Sequence, residues 1–118
     1  MKAHPVIAVV AMAAAAAVST IKFASAATMQ EPAGKTAYEE NCRKCHGVRG
    51  VPPKTMKAKY EKIPTFNAAF FDAHSEDSVV KVLIKGKGEN MKSFKTKLTQ
   101  QEMVDVAKYI RSFAGAEK

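Results

Sequence analysis

The pentapeptide Cys42-Arg43-Lys44-Cys45-His46 decides how the rest of this chain is read. Two thiols three positions apart can form thioethers with the two vinyl groups on one side of a porphyrin, and the imidazole that follows can turn beneath the ring to meet its iron. C-x-x-C-H therefore marks Cys42 and Cys45 as covalent attachment points for one haem and His46 as an axial ligand. Two other uses of these residues fit less well. A thioredoxin-like dithiol belongs in a strand-helix-strand setting, whereas the flanking sequence here is helical. A zinc site needs about four ligands, and beyond the N-terminal segment the chain offers Cys42, Cys45, His46 and the distant His74.

Working outward, residues 34–42 lack internal proline and glycine, and Ala37, Tyr38 and Cys42 fall at helical spacing. This predicts a short helix, begun at Gly34 for close packing, that delivers the motif at its C-terminal end. Residues 47–67 hold Gly47, Gly50, Pro52, Pro53 and Pro64 among five lysines or arginines. They predict a loop around one haem edge, with at most a short helical turn from Thr55 to Tyr60. Ser75 is an N-cap followed by Glu76 and Asp77, and Val79, Val80, Val82, Leu83 and Ile84 then predict a largely buried helix stopped by Gly86 and Gly88. Thr99-x-x-Glu102 is a capping box, and Met103, Val106, Ala107 and Ile110 repeat at i, i+3, i+4 and i+7 up to Phe113 and Gly115. The fold class is all-α, a single domain of about three to four short helices around one covalently attached haem. There is no internal repeat and no second C-x-x-C-H, so one haem per chain is expected.

The N-terminus has a different character. Lys2, an apolar stretch over residues 6–18 and small residues ending in Ala24-Ser25-Ala26 follow the order of a secretory signal peptide with an A-x-A cleavage site. The apolar run is 13 residues, short of the roughly 20 that a membrane span requires. Export and cleavage are thus favoured, with an uncleaved anchor as the alternative and Lys22 as the untidy element. The expected organisation is a cleaved leader over residues 1–26, a short tail over 27–33, the haem domain over 34–114 and a C-terminal tail over 115–118. Cleavage leaves 92 residues, a small domain whose modest core a large apolar haem would supplement. Of 19 lysines and arginines, 17 stay with all 11 acids, so the mature formal charge is +6; two haem propionates would lower it to about +4. A basic exported protein of this kind is expected to meet acidic-surfaced redox proteins or membrane oxidoreductases. Nucleic acid is a poor partner because the lysines are spread without interleaved aromatics.

A glycine eight residues before the first cysteine, the C-x-x-C-H motif, a glycine after the histidine, a late methionine and a final aromatic-containing helix make residues 33–114 resemble the small monohaem cytochromes of the class I cytochrome c family. The resemblance implies an all-α cytochrome c-like fold whose N- and C-terminal helices cross at a glycine-aromatic contact, here Gly34 and Tyr38 against Tyr109. It also implies that a proline carbonyl orients the proximal histidine; Pro64 is the candidate, with Pro52 and Pro53 as alternatives. The sixth ligand it implies is a methionine, which raises the reduction potential and blocks small ligands. Met91 matches the family's glycine, methionine, x, x, phenylalanine arrangement through Gly86, Gly88 and Phe94. Met29 lies in the tail, Met56 in the lysine-rich loop and Met103 on the apolar face of the last helix, where it fills the core. His74, beside the Ser75 cap, is the rival for the sixth position and reads more readily as a surface histidine. One departure stands out: Lys92 replaces the proline common after this methionine. That predicts a less rigid loop, a weaker iron-sulfur bond and a lysine swap at alkaline pH.

With both axial positions filled, such a haem has no place for a substrate, so the expected function is a soluble, monomeric single-electron carrier of the periplasm rather than an enzyme. Arg43, Lys44, Lys85, Lys87, Lys92, Lys95 and Lys97 form a candidate basic collar for docking, against the simpler reading that they solvate the surface. The rival functions are a ligand-binding or sensing haem protein with an open sixth site, and a dedicated cytochrome subunit of one oxidoreductase.

Overall fold

The computed structural model describes residue 5, residues 10–17 and residues 30–115. The cleavage site at Ala24-Ser25-Ala26, Met29 and most of the leader lie outside the described residues, as do the last three residues of the C-terminal tail. Six helices follow in order: α1 (Lys35–Asn41), α2 (Arg43–His46), α3 (Lys54–Lys59), α4 (Ala68–Ala73), α5 (Glu76–Lys85) and α6 (Gln100–Gly115). Among the described residues there is no strand, only an isolated antiparallel bridge between Lys87 and Met91. No helix among them is long and apolar enough to cross a membrane.

The all-α class holds, while the helices outnumber the three or four expected. The first predicted helix breaks at Cys42, whose φ of −120° ends α1 and opens α2. The expected turn after Thr55 is the six-residue α3. Unanticipated from the sequence, α4 starts where the Asn67 side chain accepts a hydrogen bond from Phe70 N at 3.0 Å, satisfying one of the amides a helix start leaves free. The Ser75 cap of α5 forms as expected, its hydroxyl accepting from Ser78 N at 3.2 Å. Its burial is less complete than predicted. Val79 and Leu83 are buried, whereas Val80, Val82 and Ile84 are half-buried, because residues four apart share one stripe and only the Val79-Leu83 stripe is fully covered. At α6 both arms of the capping box are made, Thr99 N donating to Glu102 Oε2 at 2.7 Å and Glu102 N to Thr99 Oγ1 at 3.1 Å. That helix continues through Gly115, one residue beyond the expected domain end.

Helix α6 is the hub, packing against α1, α4 and α5. Its stripe of Met103, Val106, Ala107, Ile110 and Phe113 is buried against Tyr38, Cys42, Phe66, Phe71, Val79, Leu83 and Leu98. Full burial of each large apolar side chain is worth about 1.5–3 kcal/mol, so this stripe anchors the domain. Gly34 permits the crossing of α1 and α6: a Cβ there would collide with the carbonyl of Asp105, and its φ of 86° is a conformation that side chains disfavour. Beside it, the Tyr38 ring meets Tyr109 edge-on at 5.5 Å and Phe113 at 5.3 Å. Of the contact expected from the resemblance, Tyr38 does meet Tyr109, while Gly34 packs against the α6 backbone at Asp105 and Val106.

Candidate haem-attachment site

The C-x-x-C-H segment is one helical turn hung from the end of α1. Cys42 N donates to Tyr38 O at 2.8 Å, and Cys42 O in turn accepts from Cys45 N at 3.2 Å and His46 N at 2.9 Å. Cys42 is buried and Cys45 half-buried, and both are free thiols. Burial, with Cys45 as a lesser cause, pushes the Cys42 thiol up to about 11. Reactive dithiols have lowered values, so this direction argues against a thioredoxin-like role. Burial also lowers the His46 value, which keeps the imidazole neutral, the state a metal ligand requires.

Two contacts that the sequence did not announce hold this turn. The buried Tyr38 hydroxyl donates to Gly47 O at 2.6 Å, pinning the residue directly after the histidine. The Phe66 ring stacks on the imidazole of His46, with centroids 4.8 Å apart and planes 18° from parallel. Phe66 is itself clipped in place, because its N–H donates to Gly50 O at 2.9 Å. The available signal was a lone aromatic following Pro64-Thr65 in a segment poor in apolar residues.

His46 Nδ1 is buried and has no hydrogen-bond partner. Neither the Pro64 carbonyl nor those of Pro52 and Pro53 accept from it. Pro64 is half-buried, two residues before Phe66, whose ring lies on the imidazole face and leaves the in-plane Nδ1 without a partner.

Met91 lies in the loop between α5 and α6, half-buried against the core. Lys87 N donates to its carbonyl at 2.7 Å, and Phe94 N donates to Leu83 O at 2.8 Å, which draws the loop onto the end of α5. The structure therefore brings Cys42, Cys45 and His46 together on one turn and puts Met91 on a separate loop bound to the same core. The other candidates are otherwise engaged. His74 is exposed, stacks on Phe70 at 4.4 Å and has Nδ1 2.9 Å from Phe70 O, at the end of its own helix. Met103 is in the core at 3 % exposure, and Met56 is half-buried on α3.

The donor set fits haem c. Two unbridged thiols lie one turn apart, beside a neutral imidazole, and the half-buried apolar side chains Phe70, Val80, Ile84, Met91 and Phe94 offer surface for a large apolar group. Zinc fits poorly, since among the described residues no group of three His, Cys, Asp or Glu side chains is arranged to hold a metal ion. Arg43, Lys44, Lys85, Lys87, Lys92, Lys95 and Lys97 are all exposed, and none makes an ion pair among the described residues.

Comparison with known proteins agrees with this geometry. No curated protein matches the chain. Among solved structures, the KustC0563 c-type cytochrome is similar at 28% identity and a TM-score of 0.61, over 68% of this chain and 95% of its own. A tyrosine-to-phenylalanine variant of that protein is similar at 27% identity and a TM-score of 0.61, over 69% of this chain and 98% of its own. The family described as cytochrome c oxidase, cbb3-type, subunit III matches residues 29–110, a span that takes in the attachment turn, the Met91 loop and most of α6. The chain belongs to that cytochrome c family, whose domain carries covalently bound haem c and serves haem-based electron transfer.

Proposed function

We propose that this domain holds one haem c on Cys42 and Cys45, with His46 and Met91 as axial ligands, and shuttles single electrons between periplasmic redox partners. When bound, the haem supplies the one-electron ferric-ferrous couple. The chain's own residues do the rest. Cys42 and Cys45 tether the group, which keeps it from being lost outside the cytoplasm. His46 is kept neutral by burial and flat by Phe66, and Pro64 has the lesser part of leading the chain to that aromatic. Met91 would supply a thioether to the haem iron, which would hinder the binding of small ligands and raise the potential. Family members are typically electron carriers rather than enzymes, and their domains are generally extracytoplasmic. The leader-like N-terminus supports the periplasm specifically.

The observation that carries this reading is the single turn bearing two free thiols and a half-buried imidazole whose Nδ1 is buried without a partner. Acid-acetone extraction followed by intact mass tests it. The expected result is a mature chain starting near Ala27 or Thr28 with one haem retained. A mass equal to the bare polypeptide would sink the proposal. The exposed, unpaired lysines around Met91 support docking to acidic redox proteins. The family's description favours a second reading, a dedicated cytochrome subunit of an oxidoreductase. Co-purification of the native protein in a stable membrane complex would select that reading over a free, monomeric shuttle.

A further inference from the structure

The end of a helix leaves its last carbonyls without intrahelical donors, and α5 resolves this by using the Met91 loop. Val82 O accepts from Gly86 N at 2.7 Å, Leu83 O from Phe94 N at 2.8 Å, and Ile84 O from the Ser93 hydroxyl at 2.5 Å. The loop is pressed close: a Cβ at Gly86, whose φ is 76°, would stand 2.8 Å from both Met91 O and Ser93 N. Ser93 Oγ also accepts from Lys95 N at 3.3 Å, so one hydroxyl links the helix end to both sides of its own turn. Every other hydrogen bond that fastens the loop to α5 is backbone to backbone, and any residue except proline could make it. Ser93 alone contributes a side chain. It does so two residues after Met91, where Lys92 leaves the backbone free of the restriction a proline would impose.

We infer that Ser93 is a positioning residue for Met91. Its hydroxyl, tied to the Ile84 carbonyl, restrains the segment that presents the thioether and so does the work expected of a proline at residue 92. Ser93 touches no reacting atom and acts through the backbone of residues 91–93. The inference rests on the reading of Met91 as the sixth ligand. Losing one such hydroxyl bond is expected to raise the population of the open loop roughly fivefold, the scale of a single hydrogen bond to a neutral acceptor.

The test compares Ser93→Ala, Ser93→Thr and Met91→Ala holoproteins by the rate at which carbon monoxide combines with ferrous haem, beside the reduction potential and the thermal midpoint. Ser93→Ala should retain the covalent haem and react with carbon monoxide roughly fivefold faster than wild type. Ser93→Thr, which keeps the hydroxyl, should return the rate towards wild type. A lowered thermal midpoint in Ser93→Ala with an unchanged carbon monoxide rate would make the residue merely structural and overturn the inference. So would an acceleration that threonine does not reverse. If Met91→Ala reacts much faster than wild type while Ser93→Ala does not, the positioning role fails and the ligand reading stands. If wild type and Met91→Ala react alike, the ligand reading fails and takes this inference with it.

Discussion

The turn carrying His46 and the loop carrying Met91 are both held to the core, by different means. Around His46 the restraints are buried side chains: the Tyr38 hydroxyl on Gly47 O, and the Phe66 ring stacked on the imidazole. Around Met91 they are backbone hydrogen bonds and the exposed Ser93 hydroxyl. Breaking a buried hydrogen bond leaves an unsatisfied partner at about 1–3 kcal/mol, whereas an exposed one is replaced by water and costs only its net worth of about 1 kcal/mol. The two candidate axial sides should therefore differ in stiffness, with the Met91 side the first to open.

The largest expected effect breaks the weaker side outright. Met91→Ala should convert a haem that combines with carbon monoxide only slowly, as its loop opens, into one that binds it readily, with a markedly lower reduction potential; carbon monoxide combination kinetics and a redox titration read both. Matching spectra for variant and wild type would direct the search to His74 or Met56. On the stiffer side, Phe66→Ala removes a ring that is 9% exposed. It should cost about 3–5 kcal/mol in urea unfolding of the holoprotein. A cost below about 1 kcal/mol would mean the stacking does not hold the proximal turn. Tyr38→Phe keeps the core ring and deletes only its hydroxyl, leaving the Gly47 carbonyl buried and unpaired. About 1–3 kcal/mol should be lost, with the haem spectrum retained. A neutral result would move the proximal stiffness entirely to Phe66. The smallest effect concerns the outer surface of the Met91 side. Glutamine at Lys87, Lys92 and Lys95 should slow electron transfer to an acidic redox protein and flatten its salt dependence, with the potential nearly unchanged. A rate indifferent to salt and to the triple substitution would leave those lysines to solvation.

The parts of this protein that could be read in one dimension are those whose chemistry is local. Spacing alone put two thiols and an imidazole on one turn, the Thr99-Glu102 box marked the start of α6, and the repeat from Met103 to Ile110 marked its buried face. Cap and periodicity signals work because the partners are three or four residues apart and the helix itself brings them together. The same logic points to α4, since Asn67 followed by Ala68-Ala69-Phe70-Phe71 is a cap before a helical run, but at six residues the helix is too short to show a repeat. The partner of His46 Nδ1, which is unpaired here, is not legible in this way for another reason. A carbonyl's reach to a ring nitrogen depends on how a loop folds back, and here the fold brought an aromatic face to His46.

By itself, then, the sequence determined the grouping of two thiols and an imidazole on one turn, the all-α class and the helices that carry their own caps, because each depends on neighbours within about one helical turn. Only the tertiary structure decided that Phe66 lies on His46, that Tyr38 pins Gly47 and that the Met91 loop completes the end of α5 through Ser93. These contacts join residues 9 to 20 positions apart, and no local periodicity links such positions. They form because α6 gathers α1, α4 and α5 onto one apolar stripe, which sets where the intervening loops must close.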